Sequence, residues 1–294
     1  MNVIDTRLPE LLRGKRPLLG MFVGIPAPSL VEMCGHAGVD FVIVDNEHGP
    51  AGIESTEHML RAARASGVIP VVRTLEADIL RVLDIGASAI QVPQVNTAEQ
   101  ARRIVGAAKY PPIGMRGAAF STRAAGYGFF AGDRHVADSN AGTAVIVMTE
   151  TRGAIDNLDE ILAVPGIDAV FFGPNDLSFS FGHPGQLNHP EVVAAIEHID
   201  EILSVPGIDA VFFGPNDLSF SFGHPGQMSH PEVVAAIEHG IARALAHRVA
   251  PGVLAVTPED FHRWRKKGAR YLPMVLSGMI GNALRATVAA AREK

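Results

Sequence analysis

Residues 158–198 read LDEILAVPGIDAVFFGPNDLSFSFGHPGQLNHPEVVAAIEH, and residues 199–239 read IDEILSVPGIDAVFFGPNDLSFSFGHPGQMSHPEVVAAIEH. The two blocks stand back to back and agree at 37 of 41 positions. Repeat architectures need at least three units to bury a continuous core, and their copies normally drift apart. Two copies this alike are a recent tandem duplication, natural or engineered. Each block holds a short apolar run, AVFF, followed by Gly-Pro-Asn-Asp and then a helix signal, His-Pro-Glu. That is a parallel strand, a loop and a crossover helix.

The same alternation extends outward over the rest of the chain. Apolar runs fall at Leu18–Ile25, Asp40–Asp45, Ile69–Arg73, Ala89–Pro93, Ala144–Glu150, Ala169–Gly173, Val249–Val256 and Tyr271–Leu276. They are separated by amphipathic stretches with openings such as Thr97 before Glu99 and Gln100, and Thr257-Pro258-Glu259. Without the second copy this makes eight strands. One copy removed leaves a length near the ~250 residues of a (β/α)8 barrel. The fold expected is therefore α/β, a single (β/α)8 TIM barrel over residues 1–294. Strand number, tilt and shear are linked in a closed barrel, so a ninth strand at 211–213 is not simply admitted, and one copy of the block is expected to be expelled. A seam near Pro165 and Pro206, favoured over one after Asp176 in the active-site loop, would leave the pocket loops undisturbed, keep Asp217 in place and expose Phe171 and Phe172. The fused stretch His189–Val205 could then run as one long helix. Residues 111–142, rich in Gly, Ala and Arg, show no clear period and are either a functional connection or a surface excursion.

Net charge is −6 with no basic run, which argues against a nucleic-acid partner. The single cysteine, Cys34, excludes an intrachain disulfide and suits a reducing compartment. No long apolar stretch or signal peptide is evident, so a cytoplasmic protein that avoids membranes is expected.

In a (β/α)8 barrel the active site is built at the carboxyl ends of the strands. Those ends carry Asp45, Glu47 and His48, then Arg73, Gln91 with Gln94, Glu150, and Asp176 or its duplicate Asp217. Several acids, one base and one fixed cation on a single rim make up a metal-dependent lyase or isomerase pocket. Glu150 and a GPND aspartate would give a hard, oxygen-rich site suited to Mg²⁺ or Mn²⁺, although the same residues can cap a helix and close a turn. His48 is a base held among carboxylates or an ordinary surface histidine. Arg73 can grip a carboxylate or form a rim salt bridge. Gly173-Pro174 and Gly214-Pro215 offer close backbone approach to a substrate, or a simple turn.

The runs VDFVIVDNEHGP, VIPVVRT, VLDIGASAIQVPQVNTAEQARRIVGAAKYPPIGMRG and TETRGAIDNLDEILAVPGIDAVFFGPNDLS, together with HPEVVAAIEH, resemble the HpcH/HpaI aldolase family from about Leu18 to Ala255. The resemblance implies a class II aldolase on a (β/α)8 barrel. Such an enzyme reversibly cleaves a 4-hydroxy-2-oxo acid to pyruvate, or hydroxypyruvate, and an aldehyde through a metal-stabilised enolate. It further implies Glu150 with Asp176 or Asp217 as ligands of Mg²⁺ or Mn²⁺, with Co²⁺ as a substitute. Arg73 would contact the pyruvate oxygens, and His48 paired with Asp84 would move the proton. Homo-oligomers, hexameric with exchanged C-terminal helices, are expected. Met148, where the family often has glutamine, and the last strand LPMVLSG depart from the pattern, and both bear on aldehyde specificity. An oxaloacetate decarboxylase using the same enolate is the alternative chemistry. An impaired assembly protein is the alternative if the duplication spoils the pocket.

Overall fold

The computed structural model describes residues 3–130, 132–172, 180–183, 208–215, 219, 224 and 227–292. Nine parallel strands close into one barrel in chain order. They are β1 (Leu18–Val23), β2 (Phe41–Asp45), β3 (Ile69–Arg73), β4 (Ala89–Val92), β5 (Ala144–Thr149), β6 (Ala169–Phe172), β7 (Ala210–Phe213), β8 (Ala250–Val253) and β9 (Tyr271–Val275). The helices that matter below are α1 (Leu8–Arg13), α2 (Pro28–His36), α3 (Ile53–Ser66), α4 (Ile79–Asp84), α5 (Ala98–Ala108), α6 (Asp133–Gly142), α7 (Arg152–Asp156), α8 (Leu158–Leu162), α9 (Pro231–Ala246), α10 (Pro258–Lys267) and α11 (Leu276–Arg292).

The α/β barrel is as expected, but its strand count is not eight. Neither copy's strand is expelled. β6 pairs β5 on one side and β7 on the other, with Ala169 opposite Ala210 and Phe171 opposite Phe212, and β7 goes on to pair β8. The reason lies in the near-identity of the copies. Both strands offer the same backbone donors and the same alternation, so either can extend the ladder, and the second sits beside the first without a register shift.

A barrel gains diameter with each strand, and the extra interior has to be filled. Here aromatic rings do so. Phe171 stacks on Phe212 at 4.1 Å, Phe212 meets Tyr271 edge-on at 6.2 Å, and Tyr271 stacks on Phe41 at 4.3 Å. Two glycines make room for this row. A Cβ on Gly20 would lie 2.1 Å from the Phe41 ring, and one on Gly252 would lie 2.8 Å from that of Phe212. Phe171 is therefore not the exposed apolar residue that expulsion implied; it packs against the interior cluster. The expected seam at Pro206 and the long helix over 189–205 lie outside the described residues.

Leu8 and Leu12 of α1 join that interior cluster and close the amino end of the barrel. Arg13 of the same helix reaches the equivalent aspartates of the two copies, Asp209 at 2.8 Å and Asp168 at 3.8 Å. Between the strands and the outer helices lies a second layer, with Val42, Val44, Val72, Ile90, Val145, Val170 and Val211 facing Met59, Leu60, Ile104 and Ile241. The thinnest ladder is β8 to β9, where only Gly252 and Tyr271 pair. Pro251 and Pro273, one in each strand, have no N–H to give. Among the described residues no helix is long and apolar enough to cross a membrane.

Candidate active site

Asp45, Arg73 and Gln91 stand side by side across three strands, because the register sets Asp45 against Arg73 and Arg73 against Gln91. Arg73 donates from Nε to Asp45 Oδ1 at 2.9 Å and from Nη2 to Oδ2 at 2.6 Å, a two-pronged ion pair. Its Nη1 lies 3.2 Å from Glu47 Oε2, an oxygen that has no aligned hydrogen-bond donor. The guanidinium also sits over the Phe22 ring. The carboxylate of Asp45 further accepts the backbone N–H groups of Glu47 and His48 at 3.1 and 3.2 Å. Burial raises the Asp45 pKa, but the Arg73 bonds and charge, with those two amides, outweigh it and hold the carboxyl below its ordinary value. Asp45 is thus ionised, and it fixes the Arg73 fork rigidly at the mouth of the barrel.

Asp45 is the residue whose structural role the sequence signalled least directly. It was readable as one acid among several at the rim; what marks it out is that VIVD and VVR both end on the last position of adjacent strands.

Glu150 follows β5 and is 3% exposed. One of its oxygens accepts the N–H of Gln94 at 2.9 Å, a bond that Gln94 presents from a left-handed backbone conformation with φ of 55°. A buried carboxylate on an oxygen-bearing rim fits a hard divalent cation by donor chemistry. Asp176 and Asp217, the expected partners in that ligand set, lie outside the described residues, as do Gly173 and Pro174. Gly214 and Pro215 are described and buried directly after β7. Gln91 donates to the Met148 sulfur at 3.3 Å, and its own Oε1 has no partner. Where a polar side chain would complete the amide's bonding, the thioether of Met148 is a weak acceptor only.

His48 lies on the loop after β2, its side chain 72% exposed and its Nε2 3.7 Å from Glu47 Oε2. Asp84 ends α4 and is held instead by Arg116, whose Nη2 donates at 2.9 Å from a fully buried side chain stacked on Tyr110. The pairing of His48 with Asp84 therefore does not form within the chain. The irregular stretch after Tyr110 explains the difference, since it folds back onto the end of α4. Arg123 donates to the Ile85 carbonyl, and the Ala124 N–H reaches the Asp84 carbonyl. No periodicity announced this, because the stretch is anchored by two arginines rather than by an apolar face.

The chain matches the sequence profile of the HpcH/HpaI aldolase/citrate lyase family over residues 18–200 and again over 193–280. It belongs to that family. Membership carries the enzyme class with it, a carbon–carbon lyase. The two matched spans meet inside the duplicated region, where a profile for one copy of the block has to be used twice. A 2-keto-3-deoxy-L-rhamnonate aldolase of Salmonella typhi is 40% identical over 194 residues, 65% of this chain and 72% of that protein. The enzyme of the same name in Escherichia coli K12 is 41% identical over the same shares. Among solved structures, an HpcH/HpaI aldolase/citrate lyase family protein of Burkholderia cenocepacia J2315 superposes with a TM-score of 0.72 at 27% identity, covering 98% of this chain and all of that one.

Proposed function

We propose that this family member is a metal-dependent aldolase that reversibly cleaves a 4-hydroxy-2-oxo acid to pyruvate, or hydroxypyruvate, and an aldehyde. The relatives named as 2-keto-3-deoxy-L-rhamnonate aldolases favour a deoxy sugar acid as the substrate class. The observation that carries the reading is the Asp45–Arg73 fork on the same rim as buried Glu150. Cleavage breaks the C3–C4 bond, leaves its electrons on C3 as an enolate and turns the C4 hydroxyl into a carbonyl. Glu150, with a GPND aspartate, would hold a divalent cation such as Mg²⁺ or Mn²⁺, which supplies Lewis-acid stabilisation of the developing negative charge. Arg73, already oriented by Asp45, would direct its remaining Nη hydrogens to the 2-oxo acid oxygens. His48 would take the C4 hydroxyl proton, and a proton returned to C3 completes the pyruvate methyl group. Backbone at Gly214 and Pro215 would line the carboxylate end.

Among the described residues every α-helix except α11 buries part of one face, whereas α11 buries no residue and leaves Leu284 and Val288 exposed. That uncovered helix supports a homo-oligomer in which α11 packs on a neighbouring copy. Cytoplasmic residence accords with the single buried cysteine.

The test is pyruvate release from a 2-keto-3-deoxy sugar acid, with and without a chelator, for the native chain and for Glu150→Gln. Activity lost on chelation, restored by Mg²⁺ or Mn²⁺ and absent from Glu150→Gln is expected. Full activity after exhaustive chelation refutes it.

A further inference from the structure

His224, His230 and Glu232 bring one ligand atom each to within 4.8 Å of one another. His224 Nε2 lies 3.2 Å from Glu232 Oε2, and His230 Nδ1 lies 4.0 Å from that oxygen. The two imidazoles stack with centroids 3.2 Å apart. They are about a quarter exposed, and Glu232 about two-thirds, so solvent can supply a further ligand. A cleft of about 450 Å³ opens beside His230, lined also by Gln227, Met228, Val256, Thr257 and Asp260.

We propose that His224, His230 and Glu232 form a second metal site, selective for a nitrogen-preferring divalent transition ion such as Zn²⁺. Two imidazoles and a carboxylate are the donor set of tetrahedral zinc, with a fourth position left to water. Mg²⁺ and Ca²⁺ prefer oxygen and are not competitors here. At metal–ligand bonds of ~2.0–2.1 Å, donor atoms of a tetrahedral site lie roughly 3.3 Å apart, close to the separation that His224 and Glu232 already show. Binding requires the stacked rings to splay, so that both in-plane lone pairs point at one ion. His230 caps the amino end of α9, its Nδ1 accepting from the Glu232 N–H, a bond that gives way if an ion takes that lone pair. An ion here therefore ties His224 to the first turn of α9.

The site is made by the spacing His-x5-His-x-Glu, and the duplication repeats it as His183, His189 and Glu191. Of these only His183 falls among the described residues.

The experiment counts Zn²⁺ bound per chain by equilibrium dialysis of the full-length protein held in saturating Mg²⁺, which keeps the oxygen-rich rim occupied. It compares the native chain with His224→Ala/His230→Ser, in which serine preserves the helix cap. The double variant is expected to bind one ion fewer, to lose the intense visible absorption of four-coordinate Co²⁺, and to show no Zn²⁺-dependent rise in melting temperature from this site. Should that variant fail to fold, Glu232→Gln is measured instead, and its affinity should fall by about tenfold or more, since even outer partners of a metal site contribute that much. An unchanged count and an unchanged Co²⁺ spectrum in the folded variant overturn the proposal.

Discussion

Replacing Arg73 by methionine keeps most of the side-chain volume and removes the fork. Asp45 and Glu47 then remain where they are, with side chains about a tenth exposed, and lose their cation. Removing one partner of a buried ion pair costs about 3–5 kcal/mol, because the other charge is left uncompensated. Asp45 keeps two backbone amides and some solvent, so ~3 kcal/mol at neutral pH is the appropriate end of that range. The pH dependence separates this cause from simple loss of packing. In the native chain the Asp45 pKa is depressed, so its stabilisation is complete above the unfolded carboxylate value of ~3.9 and is lost as pH falls through the lower folded value. In Arg73→Met burial acts without the guanidinium that offsets it, so the Asp45 pKa rises from its depressed value. The variant therefore takes up its proton earlier than the native chain as pH falls, and part of the deficit disappears. Urea unfolding at pH 7 and pH 4.5 should show the gap narrowing at the lower value. A gap of the same size at both values would refute the claim that Arg73 acts by neutralising Asp45 and Glu47. Aldol cleavage gives the second readout: Arg73→Lys retains a charge without the two-pronged geometry and should recover stability better than turnover.

Three further outcomes are expected. Phe212→Ala removes a buried ring from the centre of the aromatic row and should destabilise by ~3–5 kcal/mol; a loss below about 0.5 kcal/mol, typical of a surface position, would place β7 outside the barrel. Deleting Ile199–His239 lets His198 run into Gly240 as His239 now does, and should yield an eight-stranded barrel that still releases pyruvate, checked by circular dichroism and the lyase assay; an insoluble or unfolded product would show that the ninth strand has become indispensable. Ending the chain before Leu276 should lower the mass found by light scattering from an oligomer to a smaller species, and an unchanged mass would remove α11 from the interface.

Eight of the strands were legible as apolar runs, since parallel strands covered on both faces carry continuous hydrophobic sequence. Their carboxyl ends located Arg73 and Glu150 on the rim without any structural information. What could not be read was which charge meets which. The Asp45 partner of Arg73 depends on register, and the Arg116 partner of Asp84 depends on a stretch with no period at all. The strand count failed for a different reason. The expectation treated the closed barrel as rigid in strand number, whereas the duplicated strand brings its own filling, and the Phe171–Phe212 stack occupies the interior that the ninth strand opens.

The length of the block explains why such an insertion can be absorbed. Forty-one residues carry the chain from β6 to the equivalent position of the parallel β7, so it leaves the repeat travelling in the direction in which it entered. Every strand after the insertion still presents its carboxyl end to the same rim. A block half a unit longer would have reversed β8 and β9 relative to the rest and broken the parallel ladder. The cost falls on lateral position. β1 to β5, which carry Asp45, Arg73, Gln91 and lead to Glu150, remain consecutive neighbours and keep their mutual geometry. β8 and β9 are set one strand further round from β5, and any group they contribute faces the rim from a shifted angle. Next to β5 stands β6, the strand that precedes the first copy's GPND sequence with Asp176, while β7, which precedes Asp217, is one strand further from β5. The sequence-based preference for Asp217 rested on expulsion of the first copy's strand. With both strands in the ring, adjacency to β5 favours Asp176 as the residue that completes the cation site, and it makes loss of activity in Asp176→Asn with retention in Asp217→Asn the pattern that this barrel order requires.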